Sequence, residues 1–475
     1  MRSACSTSSK ARSAKAAEPP PRLNPHSSPA ARQRARPMPL QPLYHLLAWA
    51  AQPLLRRKLA RRGVAEPGYL HAVDERFGRY ATPRPAGSAP LIWVHAVSLG
   101  ETRAAAALIA ELRQHMPGMR LLLTHGTATG RAEGQKLLQS GDVQVWQPWD
   151  SRAAVRRFLH HFRPDLGLLM ETEVWPNLVR QSARAGVPLL LVNARLSEKS
   201  LRRARQAGLL MRPAYAALRA AWAQSEDDAR RLREMGVPLV RTLGNLKYDL
   251  APSPELAALG QGWRAQAGGQ PVVMLASSRE GEERLLLEQI RALPAPARCA
   301  VQWLIVARHP QRFDEVARLI EAQGWPVRRR SQRADWIAPT PGDIPADMPA
   351  DQPCIALGDS LGEMPAYYHL AHLALLGGSF APLGGQNLIE AAACACPVFM
   401  GPHTFNFVQA AQSALQTGAA RRFDDLAQAL PAAIELCQTP AAHARMAQAA
   451  LAFAQSHRGS ARRQAQASLE FLMKK

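Results

Sequence analysis

The chain has 475 residues, of which 47% are hydrophobic, and a formal net charge of +22. That length exceeds one ordinary core and predicts two or three domains, while the charge asks for an acidic partner: nucleic acid, anionic lipid or a phosphorylated substrate. Six scattered cysteines, with no CxxC and no paired Cys/His spacing, argue against a zinc site or a disulfide framework, and Cys394 and Cys396 in AAACACP read as small buried hydrophobes of a reducing, cytosolic-side protein.

Residues 1–37 carry eight basic side chains against one acid, Glu18, and almost no large apolar residues. They read as a disordered basic extension, with Met38 as the functional start. No apolar stretch precedes a cleavage site, so a secretory leader is not expected; an organellar presequence is the rival reading. Residues 38–65 follow as an amphipathic helix. Leu43, Leu46, Leu47, Ala50 and Leu54 fall at helical spacing, and Arg56, Arg57, Lys58, Arg61 and Arg62 come after them. The uncharged run from Leu43 to Leu55 has 13 residues and contains Pro53, against the roughly 20 that a bilayer span needs. It suits an anchor lying in the interface with its bases on anionic headgroups, or equally a first helix packed on its own domain.

From residue 91, short apolar runs alternate with amphipathic stretches. LIWVHAV (91–97), RLLLTH (120–125), VQVWQP (143–148), LGLLME (166–171) and PLLLVN (188–193) read as buried parallel strands. A second series comprises PVVMLAS (271–277), QWLIVAR (302–308), CIALGD (354–359), LALLGGS (373–379) and PVFMG (397–401). The expected class is α/β: two Rossmann-like, doubly wound domains, 66–250 and 271–475, facing a central cleft and joined by an Ala-, Pro- and Gly-rich linker, 251–270. Sheets of this kind place ligands outside the carboxyl ends of their strands.

Several motifs sit at such ends. In HAVSLGE (95–101) a strand turns through Ser-Leu-Gly, and Glu101 opens a helix, either as a plain cap or as a general base at the cleft mouth. In METEVWPN (170–177), Glu171 and Glu173 follow an all-apolar strand, where charge is costly unless it is partnered or used. GNLKYD (244–249) offers Lys247 as a point charge for an anion, or merely a surface lysine. ARHPQRF (307–313) sets Arg308 at a strand end, suited to a phosphate. GDSLGEMP (358–365) puts Leu361, Gly362 and Glu363 in a turn before a helix. The run from 375 to 407 holds two Gly-Gly pairs before a helix that starts near Gln386 or Asn387, and Glu390 lies one turn on, within reach of ribose hydroxyls. The dinucleotide fingerprint, the P-loop, Asp-x-Asp and a serine-hydrolase elbow are all missing, which leaves a metal-free nucleotide-sugar cleft.

Taken together with NARLSEKS (193–200) and SSREGEE (277–283), these blocks resemble the Kdo (3-deoxy-D-manno-octulosonic acid) transferases of lipopolysaccharide assembly, from about Leu40 to near the C-terminus. The resemblance implies the two-domain GT-B architecture with an N-terminal anchor, and an inverting glycosyltransferase that moves Kdo from CMP-Kdo to lipid IVA. It implies an acceptor-binding first domain and a CMP-Kdo-binding second domain, no cofactor, and attachment to the cytoplasmic face of the cell inner membrane, peripherally or by the N-terminus. It also implies Glu101 as proton acceptor, Glu171 and Lys247 as transition-state stabilisers, and Ala307, Arg308, Leu361, Gly362, Glu363, Asn387, Leu388, Ile389 and Glu390 as CMP contacts. This sequence departs from the family at Ser278-Arg279, where Thr-His is common, at Ala307, where Pro is usual, and at Leu383 and Gln386, where histidines are often found. The rivals are another GT-B enzyme acting on a nucleotide sugar, a membrane scaffold, and a nucleic-acid binder. The last is disfavoured by 6% aromatics that no binding motif interleaves with the bases.

Overall fold

Strands buried on both faces need apolar residues at every position, which is why the continuous Leu/Ile/Val runs become a parallel sheet. The first sheet holds β1 (Leu91–His95), β2 (Arg120–His125), β3 (Val143–Trp146), β4 (Leu166–Met170), β5 (Leu189–Ala194), β6 (Ala220–Ala223) and β7 (Val240–Thr242). The second holds β8 (Val272–Ser278), β9 (Gln302–Ala307), β10 (Val327–Arg329), β11 (Ile355–Gly358), β12 (Leu373–Leu376), β13 (Val398–Met400) and β14 (Ala420–Arg422). The computed structural model describes residues 41–249, 252–337 and 353–473; the expected extension 1–37 and the start at Met38 lie outside the described residues.

Strand order is β3-β2-β1-β4-β5-β6-β7 in one sheet and β10-β11-β9-β8-β12-β13-β14 in the other. Every pairing is parallel. In each sheet the chain first winds one way and then the other, so a switch point opens between β1 and β4, and another between β8 and β12. A crevice at the strand ends is forced there, because the flanking connections leave in opposite directions. Apolar clusters cover both faces of both sheets.

The apolar runs of the sequence miss β6, β7, β10 and β14. Strand β6 reads AAWA, and alanine has little strand preference of its own; neighbours bury it completely. Strands β10 and β14 are three-residue edges ending in Arg328-Arg329 and Arg421-Arg422, charges that blunt an open edge.

Two segments depart from the expected division. The stretch read as a linker contains a helix, Pro254–Gln266, capped by Ser253 and with Pro254 in its first turn. Its Trp263 is buried against Trp336 and Tyr367, so the helix belongs to the second half. The last helix, Ser460–Met473, crosses back to the first half. Ala461, Ala465, Ala467 and Leu469 join the core beneath Val94 and Trp222. The Trp222 indole donates to Ser468 Oγ at 2.9 Å, and Asn193 N donates to Gln464 Oε1 at 2.8 Å. Position along the chain alone cannot reveal such a return. Where the chain leaves the first half, Tyr248 stacks on His457 with ring centroids 4.6 Å apart. The Asp249 carboxylate accepts from the Gly459 and Ala461 amides, the latter at 2.7 Å.

The leader forms two helices, Gln41–Ala50 and Gln52–Ala65. Tyr44 donates to Asp150 Oδ2 at 2.6 Å, and Leu59 and Gly63 are buried, so the leader packs on the first half. Leu46, Leu47, Trp49 and Leu54 nevertheless stay exposed. Among the described residues, no helix is long and apolar enough to cross a membrane.

Replacing Asp249 by Ala removes the cap that holds the returning helix to the chain's first exit. The variant should lose about 1–2 kcal/mol of unfolding free energy, read as a lower urea midpoint. An unchanged midpoint would show that the returning helix is held by its apolar face alone.

Candidate active site

At the first switch point the turn after β1 carries Ser98, which caps helix Leu99–His115 with a reciprocal capping box. Ser98 N donates to Glu101 Oε2 at 2.9 Å, and Glu101 N donates back to Ser98 Oγ at 3.4 Å. Glu101 is thus a cap, as one reading held, yet the cap also fixes its carboxyl at the crevice. Burial, then the nearby charge of Glu171 and, more weakly, of Glu173, pushes its pKa up to about 7. A carboxyl that exchanges its proton near neutrality is suited to general-base work.

Glu171 leaves β4 in the left-handed region, φ +52°, and its neighbour Asn193 at the end of β5 has φ +49°. Side chains of this kind rarely sit there, and the backbone ladder holds both: Glu171 N donates to Val192 O, and Arg195 N donates to Glu171 O. Lys247 Nζ lies 3.2 Å from Glu171 Oε1, which also accepts from Asn193 Nδ2 at 3.4 Å. Asn193 Oδ1 in turn accepts from Leu246 N at 3.0 Å, so one amide holds both the carboxylate and the turn that presents the lysine. Lys247 is therefore a paired group inside the site and not a stray surface charge.

Glu173 accepts from the Trp175 indole at 2.7 Å and faces His95 Nε2 at 3.8 Å, an ion-pair separation and too long for a hydrogen bond. Burial pushes Glu173 up, but these two contacts outweigh it and its pKa falls below the usual carboxylate value. His95 is wholly buried at the end of β1, its Nδ1 held 2.9 Å from Thr124 Oγ1.

At the second switch point, the last two residues of β8 are Ser277, φ +57°, and Ser278, and Arg279 follows. Gly377 crosses so close that a Cβ there would meet Ser277 O at 2.4 Å. Glu282, wholly buried, ties the two exits together: Oε2 accepts from Arg279 N at 3.0 Å and from Gly378 N at 2.6 Å, while Oε1 has no hydrogen-bond partner among the described residues. Burial keeps its pKa above normal despite those amides. Beside it Glu283 is clamped by Arg312 at 2.8 and 3.2 Å.

Ala307 is the buried last residue of β9, and the exposed Arg308 follows it. Helix Leu388–Ala393 starts after Asn387, whose Oδ1 takes the Ile389 amide at 3.3 Å, and Leu388 and Ile389 are core residues. Glu390 is partly buried, and burial raises its pKa against the opposing charges of Arg103 and Arg308. Leu361 is exposed, Gly362 has φ +85°, and Glu363 is held by Arg330 at 3.2 Å and by Ser360.

The two switch points face each other. Helix Leu388–Ala393 packs on the turn Leu246–Asp249, Lys247 Nζ lies 5.8 Å from the Phe407 ring centroid, and Arg103 of the first half acts on Glu390 of the second. These contacts tie the side that carries Glu101, Glu171 and Lys247 to the side that carries Arg308, Asn387 and Glu390. Leu361 to Glu363 form a separate turn, and the adjacent Met364 Sδ lies 3.7 Å from Ser277 Oγ of β8. Cavities of about 620 Å³ at Gly78–Tyr80 and helix Arg152–Phe162, and of about 610 Å³ along the leader, contain none of these residues. Among the described residues, no group of three or more His, Cys, Asp or Glu side chains is placed to hold a metal ion. His95, Arg103, Asn193 and Glu282 escaped the sequence reading. Three of them stand inside quoted blocks, HAVSLGE, NARLSEKS and SSREGEE, but only the fold shows what they touch.

A family model described as 3-deoxy-D-manno-octulosonic-acid transferase (kdotransferase) matches residues 71–250. The 3-deoxy-D-manno-octulosonic acid transferase of Bordetella pertussis is 46% identical over 395 residues, covering 82% of this chain and 89% of that protein. The transferase of the same description from Haemophilus influenzae is 30% identical over 430 residues, covering 88% and 96%. Among solved structures, a glycosyltransferase of Rickettsia africae superposes with a TM-score of 0.53 at 12% identity, covering 82% of this chain and all of that one, a likeness of fold alone. With that identity sustained across nearly the whole of both curated relatives, the chain belongs to the 3-deoxy-D-manno-octulosonic acid transferase family.

Proposed function

We propose that the protein transfers Kdo from CMP-Kdo to lipid IVA with inversion at the anomeric carbon, releasing CMP. The observation that carries the reading is Glu101, a part-buried carboxyl whose pKa is pushed up to about 7 at the first switch point, on the side opposite Arg308 and Glu390. The acceptor hydroxyl gives its proton to Glu101 as its oxygen bonds to the anomeric carbon. The bond from that carbon to the phosphate oxygen breaks, and CMP leaves with the electron pair. Arg308 meets the charge growing on the departing phosphate, and the Lys247–Glu171 pair stabilises charge at the reacting centre. Glu390 and Asn387 take the ribose side, with Leu388 and Ile389 shaping the wall, Ala307 contributing backbone, and Leu361, Gly362 and Glu363 closing the far edge. The first half binds acceptor and the second binds donor.

The acceptor is a lipid, and the leader supports work at an anionic bilayer surface. Leu46, Leu47, Trp49 and Leu54 are 57–68% exposed, and a groove of about 610 Å³ lined by Leu54, Arg57, Lys58, Arg61, Arg62 and Ala65 joins apolar stems to cationic heads. This is peripheral attachment on the cytoplasmic face of the cell inner membrane.

Glu101→Gln keeps the capping-box geometry but cannot take the proton, so transfer should fall about 100-fold or more with CMP inhibition unchanged and the melting temperature no lower than in the wild type. In the wild type, kcat/KM should decline as pH drops below about 7, because a raised carboxyl holds its proton where a free glutamate has lost it. Near-normal turnover by Glu101→Gln would remove Glu101 from the chemistry. Deleting residues 41–62 should release the protein from vesicles containing phosphatidylglycerol; undiminished sedimentation with them would show that the leader only packs on its domain.

A further inference from the structure

The departure at Arg279 has a structural setting that the reading above leaves unused. Strands β8 and β9 are neighbours, with Ser278 opposite Ala307, and Arg308 N donates to Ser278 O at 3.0 Å. Arg279 and Arg308, each the next residue, therefore emerge side by side at the carboxyl edge of the sheet. Burial, and then the charges of Arg279 and Arg308, hold the pKa of the neighbouring His309 below normal. Two guanidiniums carried on adjacent backbone positions repel each other unless anions come between or beside them.

Their surroundings differ. Arg308 has no ion-pair or hydrogen-bond partner for its guanidinium among the described residues, and its charge acts on Glu390. Arg279 lies on the other strand, its backbone tied through Glu282 to Gly378, the middle of the glycine-rich exit from β12. Among the described residues its side chain pairs only with the adjacent Glu280 at 3.0 Å, and that glutamate is 55% exposed. An exposed pair of this sort contributes about 0–1 kcal/mol, so an incoming carboxylate displaces it at little cost. A planar guanidinium matches a carboxylate with two parallel hydrogen bonds, whereas a lysine offers only a point charge.

We propose that Arg279 grips the carboxylate of the donor sugar acid while Arg308 holds the adjoining phosphate, so that the paired arginines read a donor carrying two anions. The assignment rests on the donor reading above. It makes Arg279 a substrate-binding residue that selects an acidic sugar over a neutral one.

The test compares the KM for CMP-Kdo with the inhibition constant of CMP in Arg279→Met, Arg279→Lys and Arg308→Met. Arg279→Met should raise the KM about tenfold or more with the CMP constant unchanged, which also shows that the variant is folded. Arg279→Lys should recover part of the loss, and Arg308→Met should raise both constants. An unchanged KM in Arg279→Met, or a parallel rise in both constants there, overturns the carboxylate assignment while leaving the transferase reading intact. A wild type that neither transfers Kdo nor responds to CMP removes the reading itself and this assignment with it.

Discussion

Like charge crowded at the carboxyl edge of one sheet governs the site. Glu101, Glu171 and Glu173 meet where β1 and β4 part, and burial makes each charge costly there. Glu171 is met by Lys247 and Asn193, and Glu173 by Trp175 and the His95 ring. Among the described residues Glu101 has only the Ser98 amide as a charge-stabilising hydrogen bond, against the field of the other two. The proton therefore resides on Glu101 over a range in which an isolated glutamate would have released it. The same shift has a stability sign: a raised carboxyl favours the folded state below its unfolded pKa, and that contribution is lost as pH rises through about 7.

The fold keeps this cluster opposite the donor-side groups by more than one device. The chain exits the first half at Tyr248 and Asp249 and re-enters it at Ser460. Both crossings are fastened together by the Tyr248–His457 stack and the Asp249 cap. The turn bearing Lys247 abuts the exit on one side and helix Leu388–Ala393 on the other. A movement of either half would thus reach Lys247, and through it Glu171. Lys247, which meets Glu171, and Tyr248 and Asp249, which fasten the crossings, are three consecutive residues.

Much of this was legible in the residues. Continuous apolar runs located ten of the strands because a doubly covered parallel sheet demands them, and the Ser-Leu-Gly-Glu turn announced its cap. Glu171 stood out because a charge directly after LGLLM has nowhere cheap to go. The rest required the third dimension. Strand β6 has no strand-forming signal beyond Trp222, and Pro254–Gln266 carries the Ala and Gly of a linker while burying Trp263. The return of Ser460–Met473 is a matter of topology. His95 and Asn193 look like ordinary strand residues until Glu173 and Glu171 are seen beside them. Glu282 looks like the first acid of a helix until its carboxylate is found bridging two strand exits. Arg279 reads as a simple departure until β9 places Arg308 next to it.

The most direct test of the central claim is to titrate Glu101 itself, following the carboxyl carbon signal by NMR in protein labelled at glutamate, with Glu101→Gln for assignment. A midpoint near 7 that moves down in Glu171→Gln is what the crowded carboxylates require. A midpoint at the ordinary glutamate value of 4.5, unmoved by that change, would contradict the account.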